Sequence, residues 1–304
     1  MNSPISLDGR QVCVIGGSRY FGRRLVQELR DAGAAVSVVN RGSAPPPPGV
    51  THLLADRDDE AALRAALGDR RFDVVVDQVC YTPRQARVAS RVFAGRTGRY
   101  VMTSTVEVYA ELGRPGGAPL AEDALDLAAQ RVDLELPWEE PAFLESHYGE
   151  GKRQAEAVFS AQRGFDFAAV RTAHVLGGAD FTGRLAHYVE RIDLGLPVLV
   201  HARPQPASFV HEAEIARFLA WAAAADFTGP VNAASQDPLD VRALGLALAV
   251  GREPVFELVT PGTAASPFSF DRGYPLNVSR AARLGFVFSR TADWLPAVAE
   301  EARA

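Results

Sequence analysis

The chain has 304 residues, of which 47% are hydrophobic and 23% charged, and a formal net charge of −5. That composition suits an ordinary globular protein, and the negative balance argues against a nucleic-acid partner, which needs a basic face. Two cysteines, Cys13 and Cys80, are too few for a disulfide framework or a thiolate zinc site, so buried free thiols and no metal are expected.

The amino-terminal stretch "MNSPISLDGRQ" lacks the charged start and long apolar run of a secretory signal. Short β-branched runs then alternate with amphipathic stretches. Strands are predicted at 11–16, 34–40, 51–56, 72–79 and 99–105, and helices at 21–33, 58–68 and 83–94. Strand and helix alternating at this spacing predict an α/β fold with a doubly wound parallel sheet, Rossmann-like, covered on both faces. Residues 110–147, rich in proline and acidic residues, break the rhythm. They read as an insertion over the sheet edge that could close a site, or as a plain solvated loop. A helix from Tyr148 to about Arg163 and a strand at 166–171 restore the alternation. The most apolar helical window, "IARFLAWAAAADF" near 215–227, is broken by Arg217 and is too short to span a bilayer. Elements beyond 180 are shorter and less regular. The expected organisation is a dinucleotide-binding domain over 1–172, carrying the insertion, and a smaller lobe over 173–304, mainly substrate-binding and interleaved with the first. A cytoplasmic protein with a small-molecule partner and no membrane is expected.

"CVIGGSRYFGRRLVQEL" sets Gly16, Gly17 and Gly22 between a strand and a helix. Glycines there permit a tight turn and let backbone N–H groups approach a pyrophosphate at the positive end of the helix. An acidic residue at the end of the second strand would bind the ribose 2′-hydroxyl of NAD. This chain has Asn40 and Arg41 there, with Arg19 inside the glycine loop. Two guanidinium groups would suit the 2′-phosphate of NADP; the alternative is two solvated arginines. NADP is the expected cofactor, with NAD possible.

Arginine occurs 31 times and lysine once, at Lys152, four residues after Tyr148. Residues four apart share a helix face, so phenol and ammonium would point together into the cleft. A free tyrosine, with a pKa near 10, is a poor acid–base at neutral pH. The neighbouring ammonium is expected to lower that pKa. An ammonium also suits ribose hydroxyls better than a flat guanidinium does. "VMTSTVEVYA" ends the fifth strand, and Thr105 or Ser104 would offer a hydroxyl to a substrate oxygen, with Thr105 preferred.

Together these residues resemble the short-chain dehydrogenase/reductase superfamily, in its extended or atypical branch, the NAD-dependent epimerase/dehydratase family. "GGSRYFG" is similar to that branch's glycine motif, "STVEVY" to its catalytic Ser/Thr strand and "YGEGK" to its Tyr-x-x-x-Lys pair. Asp56 in "LLADRDD", "SFVHEAEIARFL" and "SRAARLGF" add to the resemblance over nearly the whole chain. It implies hydride transfer at a carbinol or ketone carbon, with catalytic Thr105, Tyr148, Lys152 and Glu107. The implied cofactor-binding residues are Gly16, Gly17, Ser18, Arg19, Tyr20, Phe21, Gly22, Asn40, Arg41, Asp56, Arg57, Gln78 and Lys152. Ser104, His174 and Arg203 are substrate candidates. In relatives the helix of Tyr148 and the one before it often form a dimer interface, so a homodimer is possible.

Glu107 occupies a position that sugar-nucleotide dehydratases of the family use for a base, but it follows the apolar Val106; it could equally be a solvent-facing or capping glutamate. Where such enzymes have asparagine in an R-x-x-N segment, this chain has Arg171-Thr172-Ala173-His174, and Ala207 stands where an arginine often precedes the F-V-H segment. Losing a charged contact to phosphate forfeits roughly 1.5–3 kcal/mol; Arg203 or Arg184 could substitute. His174 reads as a satisfied structural histidine, a cleft acid–base or a substrate donor. The leading expectation is an NAD(P)-dependent oxidoreductase of the epimerase/dehydratase type acting on a small polar metabolite, by net oxidoreduction or by epimerisation or elimination through a ketone. The second is a sugar-nucleotide epimerase or dehydratase with internal redox, and the third a non-catalytic cofactor-sensing or RNA-binding relative.

Overall fold

Alternation of side chains within each strand dictates the layers. The computed structural model describes residues 5–178 and 180–303; residues 1–4 of the amino-terminal stretch read above lie outside it. In chain order the first elements are β1 (Gln11–Ile15), α1 (Tyr20–Asp31), β2 (Ala35–Asn40), β3 (Thr51–Leu54), α2 (Glu60–Leu67), β4 (Phe72–Asp77), α3 (Pro83–Phe93) and β5 (Thr97–Thr105). There follow α4 (Pro141–Ser146), α5 (Tyr148–Ala161), β6 (Asp166–Thr172), β7 (His174–Leu176), α6 (Arg184–Leu194), β8 (Pro197–Val200) and β9 (Phe209–His211). The chain continues through α7 (Glu212–Ala224), β10 (Gly229–Ala233), α8 (Val241–Leu248), β11 (Val255–Leu258), α9 (Ser279–Leu284) and α10 (Thr291–Glu301).

Seven parallel strands form the main sheet in the order β10-β6-β5-β4-β1-β2-β3. The order reverses between β1 and β4, which opens a crevice at their carboxyl ends. Successive strand residues face opposite ways. Val12, Val14, Val74, Val76, Val101 and Val170 therefore pack under α1 and α7. Cys13, Ile15, Val75, Tyr100, Met102 and Ala169 pack under α2, α3 and α5. Both cysteines are buried free thiols, and burial pushes the Cys80 thiol up to about 12. The apolar 215–227 window is α7 and its exit, buried against the sheet and α1, and among the described residues no helix is long and apolar enough to cross a membrane.

A separate core joins α6, α8 and α10 to two small sheets, β8 with β11 and β7 with β9. Residues 110–147 are mostly exposed but not featureless. They carry a 3-10 turn at Glu122–Ala124 and helix α4, and Trp138 is buried with its indole N–H on the Asp133 carbonyl at 2.8 Å. Glu122 accepts the Asn232 N–H of edge strand β10 at 2.8 Å. The segment thus covers the sheet edge, as read, but contributes no residue to the cleft described next.

Candidate active site

A cleft of about 640 Å³ runs over the carboxyl ends of the strands, from Arg41 and Asp56 at one end to Tyr148, His174 and Arg184 at the other. The turn from β1 into α1 forms its floor. Gly17 has φ +77°, and an added Cβ would stand 2.8 Å from Val14 Cγ1, so the backbone can lie low there only without a side chain. Tyr20 is in the left-handed region as well, with φ 50°, a strained conformation for an aromatic residue. Its buried hydroxyl has no hydrogen-bond partner.

Asn40 ties the end of β2 to this turn. Its amide donates to Ser18 Oγ at 2.7 Å, and its carbonyl accepts the Gly42 N–H at 2.7 Å. No carboxylate stands at this strand end. Arg19 and Arg41 are exposed, line the cleft, and make no side-chain hydrogen bond or ion pair among the described residues. Asp56 caps its own turn by accepting the Asp58 N–H at 3.0 Å. Arg57 is instead buried in a two-pronged pair with Asp77, at 2.9 and 2.7 Å, and Asp77 also accepts Tyr100 Oη at 2.6 Å. Gln78 donates to Thr103 Oγ1 at 2.8 Å. Arg57 and Gln78 thus border the cleft, with the Arg57 Nη atoms and the Gln78 amide N–H committed beneath it and Arg57 Nε buried without a hydrogen-bond partner.

Helix α5 presents three residues at helical spacing, Tyr148, Lys152 and Glu156. Two glycines between the first pair let it settle on the backbone. A Cβ on Gly149 would lie 2.3 Å from the Glu107 carbonyl oxygen, and one on Gly151 2.5 Å from that of Tyr81. Glu156, fully buried, accepts Ser104 Oγ at 2.5 Å and pairs with Arg171 at 2.7 Å. Arg171 also donates to Tyr109 Oη at 2.6 Å and the Glu122 carbonyl at 2.9 Å, so α5, β6 and the 110–147 segment share one buried ion pair.

Lys152 is buried, donates to the Thr103 carbonyl at 2.7 Å, and stands 4.5 Å over the Tyr81 ring and 5.8 Å from the Tyr148 ring. Burial lowers its pKa to about 8, opposed by the nearby Cys80 and Asp77. The expected acidification of the phenol by this ammonium is not what the structure holds. Burial, then the neighbouring Tyr81, pushes the Tyr148 phenol above its usual value; the Thr105 hydroxyl and Arg184 oppose that rise. Tyr148 is therefore a neutral phenol at neutral pH.

Thr105 ends β5 and accepts the Glu107 N–H at 3.2 Å. Glu107 is not solvent-facing: its carboxylate lines the cleft and accepts Tyr274 Oη at 3.3 Å. Burial raises its pKa, against the Tyr274 hydrogen bond and Arg184.

The three substrate candidates fare differently. Ser104 borders the cleft but is committed to Glu156. Arg203 is exposed and lies outside the cleft lining, because the β8–β9 connection carries it away, so it replaces no phosphate contact. His174 lines the cleft, yet it is neither satisfied nor an acid–base at neutral pH. Its Nε2 is buried without a partner, and burial, with Arg184 nearby, holds its pKa down at about 3. Tyr81, Glu156, Tyr274 and Asp77, the buried partner of Arg57, escaped the sequence reading. Only Glu156 carried a signal, its eight-residue spacing from Tyr148.

The doubly wound parallel fold expected from the sequence is present, and it is the fold of the solved structures that superpose on it. Residues 12–87 match the family model of the NAD dependent epimerase/dehydratase family. Among solved structures, WbmH of Bordetella bronchiseptica in complex with NAD+ superposes with a TM-score of 0.72 at 18% identity, over 97% of this chain and 98% of that one. The UDP-glucose 4-epimerase of Thermotoga maritima with UDP-glucose gives 0.71 at 18% identity, over 96% and 98%. The UDP-N-acetylglucosamine 4-epimerase of Bacillus cereus gives 0.68 at 16%, over 97% and 100%. No curated protein matches the sequence significantly.

Proposed function

We propose that the protein is an NAD(P)-dependent enzyme of the epimerase/dehydratase type, transferring hydride at a carbinol or ketone carbon of a small polar metabolite. The observation that carries this reading is the meeting of Thr105, Tyr148 and Lys152 with the glycine turn in one cleft at the reversal point of the sheet. A dinucleotide fits the residues present. The bare backbone at Gly17 lies at the positive end of α1, where a pyrophosphate is favoured, and the two unpaired arginines flank Asn40.

When bound, the nicotinamide supplies or accepts the hydride. The chain's own residues do the rest. Tyr148, neutral at neutral pH, is ready to give its proton to the oxygen of a ketone as that oxygen gains charge. Thr105 holds the same oxygen in place. Lys152 keeps one N–H on the Thr103 carbonyl and turns the others to ribose hydroxyls. The depressed pKa of the ammonium makes its charge responsive to a nearby phosphate. Arg19 and Arg41 favour NADP over NAD, because a 2′-phosphate would find two guanidinium groups where β2 ends in Asn40 rather than in an acidic residue.

A second reading, epimerisation or elimination through a transient ketone, draws on Glu107, a partly buried carboxylate in the same cleft held by Tyr274. The solved structures most like this one include enzymes named for such chemistry on UDP-sugars.

A crystal soaked with NADP, with calorimetry against NADP and NAD, tests the main reading. Stoichiometric binding with the nicotinamide beside Tyr148 is expected. Absence of dinucleotide binding, or a nicotinamide placed away from Tyr148, would overturn it. With substrate present, stoichiometric loss of the NADPH absorbance distinguishes net reduction from internal redox.

A further inference from the structure

One cation at the substrate end of the cleft makes no ion pair among the described residues, although the Glu107 carboxylate lines the same end. Arg57 is paired with Asp77, Lys152 donates to the Thr103 carbonyl, and Arg19 and Arg41 belong to the end near Asn40. Arg184, the first residue of α6, also lines the cleft. Its Nε donates to Thr182 Oγ1 at 3.0 Å, and its guanidinium lies 5.1 Å from the centre of the Phe268 ring. It makes no ion pair among the described residues, yet its charge acts on Tyr148, Glu107 and His174 alike. His174 packs on the same ring, at 5.2 Å between centroids, and is stacked on Phe270. The residue is 7% exposed and its Nε2 has no partner. A buried polar nitrogen without a hydrogen bond is costly, and a ligand atom in the cleft would relieve it.

We infer that Arg184 and His174 form the subsite that recognises the substrate, and that the substrate is a small hydroxy or keto acid whose carboxylate meets the Arg184 fork. This rests on the dinucleotide-dependent reading above. A planar guanidinium matches the two oxygens of one carboxylate, and a neutral imidazole adds a hydrogen bond without adding charge. A nucleoside diphosphate would need more. Arg203 is exposed and outside the cleft lining, and Ala207 is a small residue buried in a bridge with Leu239. Glu107, on the same end, would repel a polyanion. Phe268 packs against both side chains and Phe270 against His174, which holds the pair together.

Protein loaded with NADPH would be titrated with oxalate, inorganic phosphate and UDP, by calorimetry. Oxalate is expected to bind. Arg184→Leu should weaken it at least tenfold and His174→Phe several-fold, with Arg184→Lys intermediate and NADPH affinity within twofold of wild type throughout. Oxalate binding that survives Arg184→Leu and Arg184→Lys unchanged would overturn the subsite, as would UDP or phosphate binding more tightly than oxalate. If the wild-type protein binds no NADPH, the dinucleotide reading fails and this inference with it. If it binds NADPH but no oxalate, only the subsite is wrong.

Discussion

The two ends of the cleft are built by different means. At the dinucleotide end, consecutive residues do the work: Gly16 to Gly22 in one turn, Asn40 and Arg41 at one strand end, Asp56 at the next. At the substrate end, Glu107, Tyr148, His174, Arg184 and Tyr274 come from five separate segments, and their partners are fixed by packing. The first end resembles a printed motif, the second an assembly. The assembly is also where burial decides the electrostatics: a raised phenol, a raised carboxyl, a lowered imidazole and a lowered ammonium stand together.

Substitutions can break this contrast in order of effect. Tyr148→Phe should cut turnover by about 10²–10⁴-fold while calorimetry shows unchanged NADPH binding; turnover at the parent rate would remove the acid–base role. Glu156→Ala leaves Arg171 charged and unpaired in the core, and urea unfolding should show a loss of about 3–5 kcal/mol. Gly151→Ala forces a methyl group onto the Tyr81 carbonyl. A stability loss of about 1–3 kcal/mol is expected, together with a fall in kcat as Lys152 shifts. Arg41→Ala tests the other end: affinity for NADP should fall about tenfold or more, the worth of a charged hydrogen bond, while NAD affinity stays put. Tighter binding of NAD than NADP by the parent protein would overturn the preference.

The smallest effect is also the most direct. As the only lysine, Lys152 gives a single side-chain signal in protein labelled with 13C-lysine, and its titration midpoint should fall near 8 rather than 10.5. The folded form releases this proton before the unfolded form does, so stability should rise as pH climbs from about 8 to 10.5. A midpoint near 10.5 would mean that the ammonium is solvated.

The sequence reading and the structure part company at identifiable places. Strand and helix positions were legible because a two-residue alternation and a helical stripe are local properties, and both follow from which faces must be dry. The Tyr148–Lys152 stripe was legible for the same reason. The pKa of Tyr148 was not, because spacing showed an ammonium nearby but not the burial that outweighs it, nor that the ammonium is spent on Thr103 and Tyr81. Position alone could not show that Arg203 lies outside the cleft lining, or that Ser104 borders the cleft with its hydroxyl on Glu156.

What the amino-acid order determined alone is the doubly wound sheet, the glycine turn and the shared face of Tyr148 and Lys152, since each depends on neighbours within a few residues. Tertiary structure alone decided that Glu107 meets Tyr274 across 167 positions, that Arg184 makes no ion pair among the described residues, and that His174 is buried with its Nε2 unpartnered. Those outcomes depend on which distant segments exclude water from a charge, and that is set only when those segments pack around the cleft.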